Sequence, residues 1–214
     1  MAPLGTLILC SLASAVWSYP SGAPPEACDS MAPSTAARPM GHGGPPQTRP
    51  SEFDVAINVD ANGWMPDTEY TISITKKNSS YDDIEGFLCQ VRSSASDNTR
   101  HGSFVNLPKF YKNAPCNTAL IGSATHTVAL YNASASMTWR SPAASLPLPW
   151  PGSLTAYCTI VQHTSIYWVK VPSNSFQLNP SSIVTSPPPT DDAAKVTAGS
   201  AIVLALAVLH KTFL

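Results

Sequence analysis

Short runs of alternating apolar and polar residues constrain this chain most. In the clearest run Phe53, Val55, Ile57 and Val59 occupy every second position, which is the pattern of a strand buried on one face. Comparable runs separated by Pro, Gly and Asn predict eight strands, over 53–60, 70–74, 86–92, 103–107, 125–131, 136–139, 154–162 and 166–171. We therefore expect an all-β, antiparallel sandwich of about eight strands, with one face of each sheet left to water or ligand.

Helices are disfavoured throughout the folded part of the chain. Twenty of the 21 prolines are scattered from Pro20 to Pro189, and no window there shows an apolar period of 3.6 residues. Charged residues make up only 12% of the chain, which suits short strands joined by turns. The length leaves room for one globular domain between two terminal segments.

The N-terminal segment is typical of a secretory signal peptide. An apolar run from Leu4 to Val16 is too short to cross a bilayer and is followed by small residues before Tyr19. We expect residues 1–18 to be removed, with cleavage after Ala15 as the alternative. The sequence thus predicts a secreted protein whose folded domain spans residues 19–180.

The C-terminal segment predicts attachment to the cell surface. A stalk rich in Pro, Ser and Thr over residues 181–192 precedes a hydrophobic segment over 193–214. The order of small residues, spacer and apolar tail is that of a glycosylphosphatidylinositol (GPI) signal, and Asp192 is the expected site of lipid attachment. A short membrane-spanning helix is the alternative, but His210 and Lys211 interrupt its apolar stretch.

Four cysteines remain after the signal peptide takes Cys10 with it. An even number in an oxidising compartment predicts two disulfides among them, and spacing leaves all three pairings open. No Cys-x-x-Cys pair supports a zinc or redox site. The four are Cys28, Cys89, Cys116 and Cys158.

Two N-glycosylation sites are expected in polar loops. Asn78 lies in Asn-Ser-Ser and Asn132 in Asn-Ala-Ser. Both motifs lie between apolar runs, where a sugar could be solvated. They place their loops on the surface of the domain.

The charge balance excludes one class of partner. The chain has 12 Lys and Arg against 13 Asp and Glu, so it offers no broad positive field for nucleic acid. The pairs Lys76 with Lys77 and Lys109 with Lys112 are solvated surface or contacts for a glycosaminoglycan.

No motif predicts catalysis, a metal or a cofactor. The histidines His42, His101, His126 and His163 are dispersed without ligand spacing, and there is no nucleophile elbow or phosphate-binding loop. The acids between Asp82 and Glu85 are expected to face solvent. We therefore expect a binding protein that is not an enzyme, although no ligand-binding residue is singled out.

The tryptophans divide into two groups. Trp139, like Phe87, lies in a predicted strand and is expected in the core. Trp64, Trp150 and Trp168 either pack against the rim of the sandwich or stack on a sugar.

An ordered set of motifs resembles the Reeler domain family. The match opens with Tyr19-Pro-Ser-Gly-Ala-Pro, Cys28-Asp-Ser-Met and Gly41-His-Gly, and continues through Gly86-Phe-Leu-Cys-Gln-Val-Arg, Gly102-Ser-Phe, Cys116, Thr125-His126 and Thr138-Trp-Arg-Ser-Pro. It covers residues 19–178. The resemblance implies an immunoglobulin-like sandwich, a bond between Cys28 and Cys116, and with it one between Cys89 and Cys158.

The resemblance also carries the functional expectation. Reeler domains precede haem-binding modules in ferric-chelate reductases, open reelin and spondin-like matrix proteins, and stand alone in insect defence proteins, the arrangement that this chain resembles most. It implies an innate-immune, antimicrobial recognition protein that binds microbial surface glycans or matrix glycosaminoglycans. The alternative is an adhesion or matrix module with a cell-surface or matrix protein as partner, and a third expectation is an iron- or haem-linked accessory.

Overall fold

Ten strands build the part of the chain that the structure describes. This computed structural model describes residues 21–33, 42–116, 122–145 and 150–182. The predicted signal peptide, Asp192 and the 193–214 segment lie outside those ranges. The strands are β1 (Phe53–Ile57), β2 (Glu69–Lys76), β3 (Gly86–Arg92), β4 (Ser103–Val105), β5 (Tyr111–Asn113), β6 (Ser123–His126), β7 (Ser134–Arg140), β8 (Ser153–His163), β9 (Ile166–Pro172) and β10 (Phe176–Gln177).

The first sheet has the order β1-β2-β7-β4 and is antiparallel throughout. Its alternation places one face in the core, where Ile72, Met137 and Trp139 are buried and their strand neighbours are more exposed. The predicted burial of Trp139 is confirmed. This sheet behaves as the period-two pattern of the sequence predicts.

The second sheet has the order β10-β8-β3-β6-β5, and β9 also pairs with β8. All seven residues of β3 are buried, so this sheet is covered on both faces. Phe87 and its alternate neighbours face the first sheet, whereas Leu88 packs against Ala27 and Met31 of the N-terminal segment. The expectation that each sheet leaves one face open is wrong here, because residues 21–33 lie across the outer face.

Both disulfides join the partners that the resemblance implies. Cys28–Cys116 ties the N-terminal segment to the loop after β5. Cys89 and Cys158 lie directly opposite each other on β3 and β8, with Cα atoms 4.2 Å apart. The second bond therefore joins neighbouring strands of one sheet and does not cross the sandwich.

The predicted strand over 125–131 differs most from the structure. β6 ends at His126, and the chain then turns so that the amide of Thr127 donates to the Phe110 carbonyl and the amide of Leu130 donates to the Glu85 carbonyl. Residues 127–131 therefore form loop contacts and do not extend the β-ladder. No helix of the described residues is long and apolar enough to cross a membrane.

Candidate functional site

A groove opens at one edge of the sandwich. It lies where the edge strand of the first sheet, β1, meets β9 of the second, and its volume is about 520 Å³. We call it the edge groove. Its polar and charged lining includes Gln47, Arg49, Asp54, Lys77, Lys170 and Asn174.

The segment before β1 defines where the groove begins. It runs along the outer edge of β9, where the amide of Gln47 donates to the Tyr167 carbonyl and the Tyr167 hydroxyl donates to the Gly44 carbonyl. The indole N–H of Trp168 donates to the carbonyl of Arg49 at 3.2 Å. The edge of β9 is thus covered up to Trp168 and opens into the groove beyond it.

The floor of the groove is aromatic. Phe53 and Trp168 meet edge to face with ring centroids 5.8 Å apart, and the Arg49 guanidinium lies 5.3 Å from the centre of the Trp168 ring. Trp168 is only 3% exposed, so its ring packs within the protein and is not available to a sugar. Trp64 is fully buried, and Trp150 is partly buried with its ring 6.4 Å from that of Trp64. For Trp64 and Trp168 the packing alternative is the one that holds.

Arg49 and Lys77 are positioned by ion pairs in which the cation stays partly exposed. Arg49 pairs with Glu52 at 2.6 Å while half of its side chain remains exposed. The Lys77 ammonium donates to the Ser51 carbonyl at 2.9 Å and lies 3.4 Å from Asp54, a carboxylate that is itself 69% exposed. The Lys77–Asp54 pair is exposed on both sides, so it contributes little to stability and can exchange partners at small cost.

Lys170 is positioned by a bulge in β9. Cys158 pairs with Val171 and Ile160 with Trp168, so two residues of β9 oppose Thr159 alone. Lys170 occupies the bulge with φ +55°, and its amide donates to the Thr159 hydroxyl. Its ammonium donates to the Ala95 carbonyl at 2.6 Å. Burial, and then the charge of Arg92, lowers the Lys170 pKa below its usual value.

Sequence reasoning found one of these three cations. Lys77 belongs to a predicted basic pair, but its neighbour Lys76 turns away to Asp83 at 2.6 Å. Lys109 and Lys112 lie outside the groove, and Lys109 stacks on Phe110. Arg49 and Lys170 had no local signal, because their placement depends on a strand edge and a bulge that only tertiary pairing defines.

The histidines that are dispersed in the sequence make separate contacts in the fold. His42 bonds the Thr164 carbonyl and contacts Tyr167, while His126 packs under β3 with its Nδ1 3.0 Å from the Phe87 amide. Both line a cavity of about 40 Å³ beneath the N-terminal segment, which has room for only a water or two. Within the described ranges no three His, Cys, Asp or Glu residues are close enough to hold a metal ion.

One Ser, His and Asp set does come together, in the loop after β3. The Ser93 hydroxyl lies 3.0 Å from Nε2 of His101, and the Asp97 carboxylate lies 4.0 Å from the same nitrogen. A hydrolytic triad needs the hydroxyl and the carboxylate on opposite ring nitrogens. This cluster therefore lacks the geometry that would activate the serine.

Comparisons with known proteins found a matching family profile and two similar sequences. The sequence profile of the family described as "Reeler domain" matches residues 26–183. The chain is 29% identical over 178 residues to the Xenopus laevis protein named "Putative ferric-chelate reductase 1", covering 80% of this chain and 27% of that protein. It is 27% identical over 205 residues to the Drosophila melanogaster protein of that name marked "homolog", covering 92% and 30%.

Two solved structures are also similar. The reelin-N domain of F-spondin aligns with a TM-score of 0.48 at 14% identity, covering 63% of this chain and 91% of that one. The human F-spondin reeler domain aligns with a TM-score of 0.45 at 16% identity, covering 64% and 89%.

Proposed function

Because this chain belongs to the Reeler domain family, an extracellular module of the adhesion and matrix type, we propose that it is a recognition protein and not an enzyme. Its ligand is an anionic glycoconjugate, microbial or of the matrix, held in the edge groove. The observation that carries this proposal is the placement of Arg49, Lys77 and Lys170 around one open, polar groove.

The chemistry of the lining supports an anionic sugar chain. Sulfate and carboxylate groups accept charge-assisted hydrogen bonds from Lys and Arg, and these are stronger than neutral ones. Gln47, Asn174 and the exposed Asp54 can bond sugar hydroxyls between the charges. The Lys77 ammonium donates to a backbone carbonyl and pairs with the largely exposed carboxylate of Asp54. A sulfate or carboxylate group of the ligand can therefore replace Asp54 as its ionic partner.

We further propose a role in antimicrobial defence at the cell surface. The resemblance to single-domain insect defence proteins supports the immune part. The C-terminal sequence supports a GPI anchor at Asp192, and release of the protein from cells by phosphatidylinositol-specific phospholipase C tests it. A protein that stays on the cells after this treatment contradicts the anchor alone.

Paired charge variants test the groove. K77Q/K170Q removes two groove cations, whereas K109Q/K112Q removes two cations outside it, so both carry the same net charge. We expect the groove variant to lose about tenfold or more in affinity for heparin or an acidic microbial polysaccharide, and the control less than about twofold. Affinity should also fall with added salt.

Two results would redirect the proposal. Equal losses in both variants would mean that binding follows net charge and not the groove. Failure to bind any glycan, with saturable binding to a matrix or cell-surface protein, would favour the adhesion module with a protein partner. Far-UV circular dichroism of each variant checks that the fold is unchanged.

A further inference from the structure

Exposed apolar side chains concentrate at one end of the sandwich. Five large hydrophobic residues of the described chain are exposed, and four of them lie on the loops 77–85, 106–110 and 127–133. These loops meet at the end of the sandwich where β2 stops and β3 and β7 start. We call it the loop end. The four are Tyr81, Phe110, Val128 and Tyr131.

Both glycosylation motifs lie at the loop end. Asn78 is exposed, and its Oδ1 accepts from the amide and the hydroxyl of Ser80, each at 3.0 Å. Asn132 is exposed as well, and its backbone pairs with that of Ile84. The two predicted glycans and most of the exposed apolar surface therefore share one region.

Tyr131 stands out within this region. It is 66% exposed, more than any other large hydrophobic residue described, and it adopts φ +50°. A tyrosine in the left-handed region is strained, and such strain persists only where the surroundings impose it. Here the bonds from Leu130 to Glu85 and from Asn132 to Ile84 impose it on each side.

This arrangement presents an aromatic ring beside a sugar acceptor. Packing within the protein does not explain the ring, because most of its surface faces solvent. The residue that follows it is Asn132, so a glycan there would begin one residue along the chain from the ring. The C–H face of a pyranose is apolar and slightly positive, and it complements the negative face of a tyrosine ring.

We infer that the first N-acetylglucosamine of an N-glycan on Asn132 lies on the Tyr131 ring and stabilises the loop end. The contact is intramolecular: the occupant of the exposed ring is the chain's own modification. The inference goes beyond the proposed function and does not depend on the edge groove.

A double-mutant cycle tests the contact in the full chain secreted from animal cells. S134A removes the glycosylation motif and keeps Asn132, while Y131A removes the ring and keeps a Cβ at the strained position. With Tyr131 present, S134A should lower Tm by about 2–4 °C. In the Y131A background, the same change should leave Tm nearly unaffected.

Release of the glycan from the native protein provides an independent readout. We expect Y131A to speed release of the Asn132 glycan by peptide N-glycosidase severalfold, with the Asn78 glycan of the same molecule as an unchanged reference. An unoccupied Asn132 in the secreted protein overturns the inference. Equal Tm losses in the two backgrounds, or a release rate unaffected by Y131A, also overturn it.

Discussion

Arg92 shows how one residue organises a region. Its side chain is completely buried, yet its hydrogen bonds within the described residues go to neutral groups, among them the carbonyls of Cys28, Asp29 and Asp97. Burial lowers its pKa from the usual arginine value, and the charge of Arg100 lowers it further. The guanidinium fork thus joins β3, the N-terminal segment and the loop after β3.

We predict that R92K lowers the free energy of unfolding by about 3 kcal/mol. The compact ammonium of lysine cannot donate to all the separate carbonyls that the planar guanidinium reaches. R140K is the matched control. Arg140 pairs with Glu69 on the surface, so this variant should cost less than about 0.5 kcal/mol. Urea unfolding midpoints measure both, and equal shifts would contradict the role given to Arg92.

The lowered pKa values of two histidines lead us to predict a loss of stability in mild acid. Burial lowers the pKa of His42, partly opposed by the Thr164 carbonyl, and burial lowers the pKa of His101, partly opposed by Asp97. Unfolded histidine titrates at about pH 6.5, so just below that pH the unfolded chain binds more protons than the folded one. This contribution is complete above that pH and declines as the pH falls through it.

The measurement is Tm between about pH 7.5 and 5.0, the interval that brackets the titration of unfolded histidine. We expect Tm to fall across this interval, and we expect H42Q/H101Q to show a smaller fall because glutamine does not titrate there. H163Q is the control, since His163 is exposed. A slope that H42Q/H101Q leaves unchanged would assign the effect to other groups.

At the scale of elements, β3 is the centre of the fold. It pairs with β8 on one side and β6 on the other, and it packs against the first sheet and the N-terminal segment. Its bond to β8 through Cys89 and Cys158 therefore reinforces two strands that the ladder already joins.

We predict that C89A/C158A lowers the free energy of unfolding by about 4 kcal/mol, from the entropy that a bond across 69 residues removes from the unfolded chain. The β3–β8 ladder should persist, because its hydrogen bonds do not depend on the disulfide. Urea unfolding gives the first quantity and far-UV circular dichroism the second. A loss of strand signal in the variant would show that the bond defines the ladder.

The sequence predicts strands well where one face of the strand packs on the core. It predicts them poorly where the strand is short or lies next to a loop. β1, β2 and β7 follow the alternation of apolar residues, because burial on one face produces it. β5 and β10 are two or three residues long and leave no periodic signal. The open outer face was wrongly expected, because a segment with no strand of its own covers it.

The same limit applies to the candidate site. Lys77 was visible as part of a basic pair, whereas Arg49 and Lys170 join it only through folding. Lys170 owes its position to the extra residue in β9, and Arg49 to a segment that follows the edge of β9. When strand pairing brings a cation to a site, the spacing of residues in the sequence does not indicate it.

At the scale of the whole molecule, the domain has two different ends. The loop end carries both glycosylation motifs, whereas β10 and the turn Pro180–Ser182 lie at the opposite end, beside Trp64. The edge groove lies along the side between them. The described chain therefore ends at Ser182 on the end of the domain opposite the two glycosylation motifs.

The order of the cysteines along the chain gives the domain a further property. The two bonds interleave, because Cys89 lies inside the Cys28–Cys116 loop and Cys158 lies beyond it. Breaking any one peptide bond between Cys28 and Cys158 therefore leaves both pieces covalently linked. Outside the cell, where proteases of host and microbe are abundant, a single cut in this span cannot release a fragment until a disulfide is reduced.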